Sequence, residues 1–521
     1  MSTLAEQART LEGVGAWVRH LADQRADHDA LVFEGVRYSY RDFNQRINRA
    51  ANGLAGLGVG KGDRVAMLLL NSNAFLEVLF ACAKLGAIAV PVNFRLSPAE
   101  VGFILENSEA ATLVYHPVFA ALARPGRGNG FLNNVIAVAQ RDHAAAAGDA
   151  DYEALLAGAS DAEPEAQVLP DDPLMMMYTS GTTGRPKGAL LSHGNATWNC
   201  IHAHISDMGV LRSDIVLNVA PLFHIGGLAV NTLTALHIGA TVILQAQFDP
   251  VQVLKALESE RVNKLFLVPA MWHALTLVPD FDDYDLSALR ALTSGGAPCP
   301  IPVIEFFQSR GFKFYEGFGM TETCAGVCIL GDADAVRKNG SVGKPLMYEQ
   351  MRIVDETGND VPQGETGELV LRGPNIFLEY WNRPDATEEA FRDGWFHTGD
   401  LARQDEEGFY YIVDRKKDML ISGGENVYPT EVEQVLYRHP KVQEVAVIGT
   451  PDERWGEVPM ALVVPKDGNA PTLEELEAFC QDKLARFKTP KHLVVLDELP
   501  RTATGKVLKR ELRKEYAEGK A

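Results

Sequence analysis

Eleven consecutive residues, Tyr178-Thr179-Ser180-Gly181-Thr182-Thr183-Gly184-Arg185-Pro186-Lys187-Gly188, concentrate groups suited to holding phosphate. They bring four Ser/Thr hydroxyls, three glycines and two cations. Glycine lets the backbone come close to a ligand, and successive N–H groups in such a turn form an anion-binding concavity. The hydroxyls and Lys187 add donors and positive charge for phosphate oxygens. The chemistry predicted is a cradle for a polyphosphate, most naturally that of a nucleoside triphosphate. A Walker-type loop needs Gly-Lys followed by Ser or Thr. Here Lys187 stands three residues after Gly184 and precedes Gly188, so this is another kind of phosphate loop. A flexible linker is the plainer alternative, but the apolar run 174–178 leads straight into the loop as a buried strand would.

Further stretches carry chemistry at the ends of predicted strands. Pro221-Leu222-Phe223-His224-Ile225-Gly226-Gly227 places a histidine beside a glycine pair. Ser294-Gly295-Gly296-Ala297-Pro298 has side chains small enough for a flat ring to lie against the backbone. In Tyr315-Glu316-Gly317-Phe318-Gly319-Met320-Thr321-Glu322, Phe318 offers an aromatic face for stacking and Thr321 a phosphate donor. Glu322 is a hard oxygen ligand suited to Mg²⁺ beside phosphates. Asp400 ends Trp395-Phe396-His397-Thr398-Gly399-Asp400 on a glycine turn, and carboxylates of this kind bind ribose hydroxyls. Four consecutive charges follow strand-like Tyr411-Ile412-Val413 as Asp414-Arg415-Lys416-Lys417, continuing to Asp418.

Positioning these groups requires an α/β scaffold. Residues 30–40 read as two strands around a Glu-Gly turn, after which Ser39 caps a helix. A strand at 64–70, a helix at 73–85 and a strand at 88–92 make a βαβ unit. Residues 117–170, rich in Ala, Gly and Asp, read as surface elements. Strands are then expected at 215–220, 241–245, 264–268, 288–293 and 312–315, with ligands collecting at their carboxyl ends. The remainder reads as a small α+β domain with strands at 443–448, 459–464 and 493–496. Two capping boxes, Thr430 with Glu433 and Thr472 with Glu475, open its helices. The expected organisation is therefore a large multi-sheet N-terminal domain over 1–414 and a small C-terminal one over 415–521.

Composition sets outer limits. The 521 residues carry a net charge of −20, which opposes nonspecific nucleic-acid binding, so any positive field must be local. The six cysteines form no CxxC pair, so no zinc site or disulfide framework is predicted. The most hydrophobic region, 64–93, is broken by Asn71, Asn73, Glu77 and Lys84, and no membrane span is expected. No signal sequence is read at the start, and a cytoplasmic location follows as an expectation.

The phosphate loop and the motifs that follow it resemble the adenylate-forming superfamily of acyl-CoA synthetases, peptide-synthetase adenylation domains and beetle luciferases. The resemblance spans essentially the whole chain. It implies that Thr179, Ser180, Gly181, Thr182, Thr183, Gly184 and Lys187 surround the β,γ-phosphates, and that adenine lies at Gly295, Gly296, Ala297 and Pro298, with Glu316, Gly317, Phe318, Gly319 and Thr321 completing the nucleotide site. The family usually has Tyr at the position of Phe318; stacking survives the change, but a phenol hydrogen bond does not. Asp400, with Ile412 and Arg415, would hold the AMP moiety. Lys506, in Pro500-Arg501-Thr502-Ala503-Thr504-Gly505-Lys506, would reach the carboxylate and α-phosphate. His224, Ile225, Gly226, Gly227, Gly295 and Gly296 would line the acyl pocket. Lys417 would be the hinge of a mobile C-terminal domain. Ser422, Gly423, Gly424 and Glu425 would line the pantetheine tunnel, with Trp455, Phe487 and Lys491 on the CoA nucleotide; some relatives carry Arg where Thr489 stands.

The implied activity is an ATP-dependent acyl-CoA synthetase using ATP, Mg²⁺ and CoA on a hydrophobic fatty, aryl or polycyclic acid. Catalysis would fall to Lys506, Glu322, Thr179 and Lys187. The alternatives are loading of an acyl carrier protein, use of the adenylate in a light-producing oxidation, and nucleotide sensing without turnover. A homodimer is an admissible assembly.

Overall fold

The structure, a computed structural model, describes residues 12–128, 130–139, 145–179, 186–502 and 505–517. Ser180, Gly181, Thr182, Thr183 and Gly184 lie outside the described residues, as do Arg185, Ala503 and Thr504. Among the described residues the strands form four sheets.

The eight-stranded sheet grows from the predicted βαβ unit. Arg64–Leu68 lies parallel between Ile88–Pro91 and Thr112–Tyr115. The intervening helix, Asn73–Leu85, is apolar nearly all round and buried along its length, with Ser72 accepting from the Phe75 N–H and Gly86 closing it in the left-handed region. Pro173–Thr179 joins beside Ile88–Pro91 and pairs antiparallel with Lys187–Ser192. Thr179 and Lys187 are cross-strand partners, so the sheet holds both ends of the phosphate loop next to one another. A two-residue strand, Glu379–Tyr380, covers the outer edge of Lys187–Ser192.

The nine-stranded sheet supplies the remaining strand ends. Asp29–Phe33, Thr241–Leu244, Ile215–Asn218, Lys264–Leu267, Ala291–Ser294 and Phe314–Met320 run parallel, in that spatial order. Their carboxyl ends therefore open on one side, into the loops that hold His224, Gly295 and Glu322. Buried Val, Leu, Ile and Phe on these strands meet covering helices, as a two-faced parallel sheet requires.

Two five-stranded sheets complete the chain. Tyr410–Arg415 closes one of them against Trp395–Gln404. The other begins at Leu420–Ser422 and centres on the hairpin of Val442–Asp452 and Gly456–Pro465, with its own core around Leu420, Val432, Val445 and Leu476. Lys417 sits in the turn between the two sheets.

Two local expectations need correction. Residues 117–170 are not confined to the surface: Asn134–Ala137 extends the eight-stranded sheet beside Thr112–Tyr115, with Ile136 and Ala137 buried. Tyr152 is buried as well and donates its hydroxyl to Glu77, 2.9 Å away. An alanine- and glycine-rich background concealed this short apolar run. The Thr430–Glu433 capping box does not form. The helix there is Pro429–Leu436, and proline, pre-shaped for a first turn, places Thr430 inside the helix. The Thr430 N–H goes to Asp414 Oδ2 at 2.9 Å, while Glu433 accepts from the Val447 N–H and pairs with Lys509, each at 2.7 Å. The Thr472–Glu475 box is formed.

Candidate active site

Lys506 is the point on which the described site residues converge. Its loop is pinned by reciprocal bonds: the Thr502 N–H donates to the Lys506 carbonyl at 2.6 Å, and the Lys506 N–H to Thr502 Oγ1 at 3.1 Å. Gly505 takes a φ of +81°, which a side chain would resist. The aliphatic stem runs over Gly296: a Cβ built there would stand 3.6 Å from Lys506 Cε. Burial and the nearby Arg415 push the ammonium down to about 8, against the attraction of Asp400 and Glu322.

Asp400 is buried, with Arg415 Nε 3.3 Å from Oδ1. Burial raises its carboxyl above the ordinary range, and Arg415 and Lys506 oppose that shift. The preceding turn uses Gly399 at φ +72°, and Thr398 Oγ1 accepts from the Asp400 N–H at 3.0 Å. Ile412, half-buried, lies on the neighbouring strand opposite Ala402.

His224 stands on the large-domain side. Its Nδ1 accepts from the Gly226 N–H at 3.2 Å, which leaves the proton of the neutral ring on Nε2. Burial, with Lys506 adding to it, pushes the imidazole down to about 3, so the ring is neutral near pH 7. The glycines around it differ in purpose. A Cβ at Gly226 would approach the Phe266 ring at 3.1 Å, and one at Gly295 would approach the other side of that ring at 3.4 Å. Gly227 instead packs on the main chain, where a Cβ would lie 2.8 Å from the Ala220 carbonyl and collide with that of Pro221. Its missing side chain admits backbone and opens no pocket space. Ile225 is buried.

The segment Glu316–Glu322 shows a similar division. Phe314–Met320 turns back through Thr321–Thr323 into Ala325–Ile329, and a Cβ at Gly319 would collide with the Ala325 carbonyl. Glu316 turns its carboxyl into the large domain, accepting from the Gly340 N–H at 3.0 Å, and burial pushes it up to about 8. Gly317 and half-buried Phe318 follow on the same strand. Thr321 and Glu322 are buried in the short turn, and Glu322 Oε1 accepts from the Tyr380 hydroxyl at 2.8 Å. Lys187 Nζ lies 4.1 Å from the centre of the same Tyr380 ring. Ala297 and Pro298 continue the turn after Gly296, which has φ +86°.

The residues expected to meet CoA form a separate group on the small domain. Gly423 and Gly424, at φ +62° and +89°, make the two-residue turn between Leu420–Ser422 and Glu425–Val427. The Gly423 N–H donates to the Trp455 carbonyl at 2.8 Å, and a Cβ at Gly423 would meet the indole at 2.7 Å. Trp455 is 47% exposed, with the Arg454 guanidinium 4.6 Å from its ring. Phe487 packs in part against the small-domain core, and Lys491 pairs with Glu477 at 3.0 Å.

Tyr380 and Phe266 were not among the predicted site residues. Tyr380 reaches the site through a two-residue strand paired with a segment 190 positions earlier, and no local pattern announces that. Phe266 lies within a plainly apolar strand, where its contact with two glycines from other loops has no local signature.

A family model described as AMP-binding enzyme matches residues 18–381, and one described as AMP-binding enzyme C-terminal domain matches residues 431–506. Feruloyl-CoA synthase of an Amycolatopsis species is 44% identical over 506 residues, covering 97% of this chain and 99% of its own. Indoleacetate–CoA ligase of Aromatoleum aromaticum is 41% identical over 498 residues, covering 95% and 97%. Among solved structures, the anthranilate CoA ligase AuaEII in complex with anthranoyl-AMP superposes with a TM-score of 0.93 at 29% identity, covering 99% of this chain and all of its own.

Proposed function

The chain belongs to the AMP-binding enzyme family and is an AMP-forming acid–thiol ligase acting on a carboxylic acid, ATP and CoA, and we propose that its acid is a flat, hydrophobic aryl acid activated at Lys506. A carboxylate is a poor electrophile and must first receive a good leaving group. Its oxygen attacks the α-phosphorus of ATP, pyrophosphate departs, and the acyl-AMP forms. The CoA sulfur then attacks the acyl carbon, AMP leaves, and the thiol proton is released. The first step depends on positioning and charge stabilisation more than on acid–base groups. Lys506 supplies positive charge at the developing oxyanion, Asp400 takes the ribose hydroxyls, and Thr179 with Lys187 holds the phosphates. The neutral His224 ring offers its Nε2–H on the acyl side.

Mg²⁺ fits the residues present. Glu322 is a nearly buried carboxylate with Oε1 already bonded, which leaves Oε2 for a hard cation. Among the described residues no group of three metal-ligating side chains occurs, and Mg²⁺ on nucleotides needs only one or two carboxylates beside phosphates and water. Bound there, it would neutralise charge on the phosphates.

The observation that carries the reading is Lys506 laid along Gly296 with Asp400, Glu322 and Arg415 as its charged neighbours. For the acid, Phe266 supports an aryl substrate, since the rim of its aromatic ring stands against both Gly226 and Gly295, at the turns expected to line the acyl pocket. Similarity to ligases named for feruloyl, indoleacetate and anthranilate substrates points the same way. The domain boundary falls at 414/415, and Lys417 is the hinge between the last strand of one five-stranded sheet and the first of the next. CoA-dependent AMP release measured with acetate, octanoate, a cinnamate and a polycyclic acid tests the substrate. The aryl acid should give the highest kcat/KM, each buried methylene-sized group adding about 0.8 kcal/mol. Acetate or octanoate as the best substrate would overturn the assignment. Turnover only with a phosphopantetheinylated protein would name a different acceptor.

A further inference from the structure

One buried side chain contacts two charged groups that the proposed adenylation uses. Tyr380 is held by main-chain pairing of Glu379–Tyr380 with Lys187–Ser192, where it lies opposite Ala189. Its ring is 6% exposed and packs edge-on against Phe377, with centroids 4.8 Å apart. Its hydroxyl donates to Glu322 Oε1 at 2.8 Å, and Lys187 Nζ stands 4.1 Å from its ring centre. Among the described residues neither Lys187 nor Glu322 has an ion-pair partner, although one contacts the ring and the other the hydroxyl of this side chain.

An ammonium and a buried carboxylate that both contact one buried side chain attract each other more strongly than they would in bulk water. Joined directly, they would quench each other: the lysine would lose its charge for phosphate, and the carboxylate its free oxygen for a cation. We propose that Tyr380 is a positioning residue that keeps Lys187 and Glu322 apart, with the ring holding the lysine and the hydroxyl fixing the carboxylate so that Oε2 stays open. The two contacts reinforce each other. A phenol that donates to a carboxylate gains electron density on its ring, and an ammonium over that face is attracted by it. Hydrogen bonds that orient a liganding carboxylate are worth about 10–100-fold in metal affinity. The proposal rests on the assignment of Glu322 to Mg²⁺ and of Lys187 to phosphate.

The test is equilibrium binding of a non-hydrolysable ATP analogue by calorimetry, titrated with Mg²⁺ and with Mn²⁺. AMP affinity and the thermal unfolding midpoint serve as controls. Tyr380→Phe keeps the ring and removes the hydroxyl. It should raise the metal midpoint about tenfold or more, while the analogue at saturating metal and AMP bind as in the wild type. Tyr380→Leu also frees the lysine, so analogue binding should weaken even at saturating metal. Adding Lys187→Met to Tyr380→Leu should then cost no further nucleotide affinity and should recover part of the metal affinity. A wild-type metal midpoint in Tyr380→Phe overturns the proposal, as does a parallel loss of AMP binding and thermal stability. Glu322→Gln with an unchanged metal midpoint would instead remove the metal assignment on which the proposal stands.

Discussion

The two faces that meet at Lys506 are built differently. The large-domain face stands on strand ends: His224, Phe266, Gly295 and Glu322 follow or lie on parallel strands whose neighbours are fixed by main-chain ladders and buried side chains. The small-domain face is a single loop whose geometry depends on the Thr502–Lys506 bonds and on Gly505. It reaches the large domain through few polar links, among them Thr430 to Asp414 and Gln434 to the segment after Pro298. Rigid elements hold groups more precisely than loops do. On the proposed assignment, the face that would bind nucleotide is therefore permanent, whereas the charge proposed to drive adenylation would be present only while the small domain is docked.

Lys506→Ala breaks the comparison most directly. Loss of one charge-stabilising donor aimed at a developing oxyanion costs about 10²–10³ in rate. Acid-dependent pyrophosphate release should fall by that factor. Thioester formation from preformed acyl-AMP and CoA should stay near wild type, because the large-domain face is untouched. Equal losses in both half-reactions would show that Lys506 is not confined to one of them.

The glycines separate packing from docking. Gly227→Ala forces a Cβ against the Ala220 and Pro221 carbonyls, and overpacking against backbone typically costs about 1–3 kcal/mol. Urea denaturation should show that loss, with nucleotide affinity of the folded fraction unchanged. Gly296→Ala meets no atom closer than 3.6 Å but must hold φ +86°, a left-handed conformation costing about 1–2 kcal/mol. It should impair adenylation more than thioester formation, because the contact it disturbs is the Lys506 stem. Identical behaviour of the two variants would erase the distinction.

Much of the large-domain face was legible in the sequence, because strand ends are marked by local changes from apolar runs to glycine and hydroxyl residues. The strands ending at Asn218, Leu267 and Ser294 and the helix Asn73–Leu85 fall within a few residues of the expected places. What local pattern cannot convey is pairing across distance. Tyr380, Phe266 and Gln434 each owe their position to a partner far away in the chain. Glu316 and Gly227 belong to motifs read as ligand contacts, yet the Glu316 carboxyl and the missing Gly227 side chain address backbone, and only packing reveals that. Thr430 failed as a cap because Pro429 begins the helix one residue too early for it.

Acidity provides a gentler probe. Lys506 is pushed down to about 8 by burial, and in the proposed mechanism its protonated form is the active one. In kcat/KM for adenylation, which reports the free enzyme, activity should be level below that value. It should then fall about tenfold per pH unit above it, as the ammonium loses its proton. Glu316, pushed up to about 8, ionises in the same window. Lys506→Arg separates the two, since guanidinium stays charged and leaves only the contribution of Glu316. His224, at about 3, should add no limb near neutral pH. An alkaline limb unchanged in Lys506→Arg would assign it to another group.

The smallest expected effect concerns the docking itself. Gln434, on the small-domain helix Pro429–Leu436, accepts from the Ile301 N–H at 3.3 Å and donates to the Cys299 carbonyl at 3.2 Å. One side-chain amide thus satisfies two main-chain groups of the large domain just beyond the Gly296 turn on which Lys506 lies. A net hydrogen bond is worth about 0.5–1.5 kcal/mol, so Gln434→Ala should shift the docking equilibrium by a factor of a few. Rapid-quench measurement of acyl-AMP formation should show a decrease of that size. The thioester half-reaction from preformed acyl-AMP should not slow, because it does not need Lys506 docked. Gln434→Glu sharpens the test: it keeps an acceptor for Ile301 but sets a carboxylate against the Cys299 carbonyl, and should be worse than alanine. If both variants adenylate at the wild-type rate, docking is governed elsewhere, and the small-domain face is less dependent on polar links than its construction indicates.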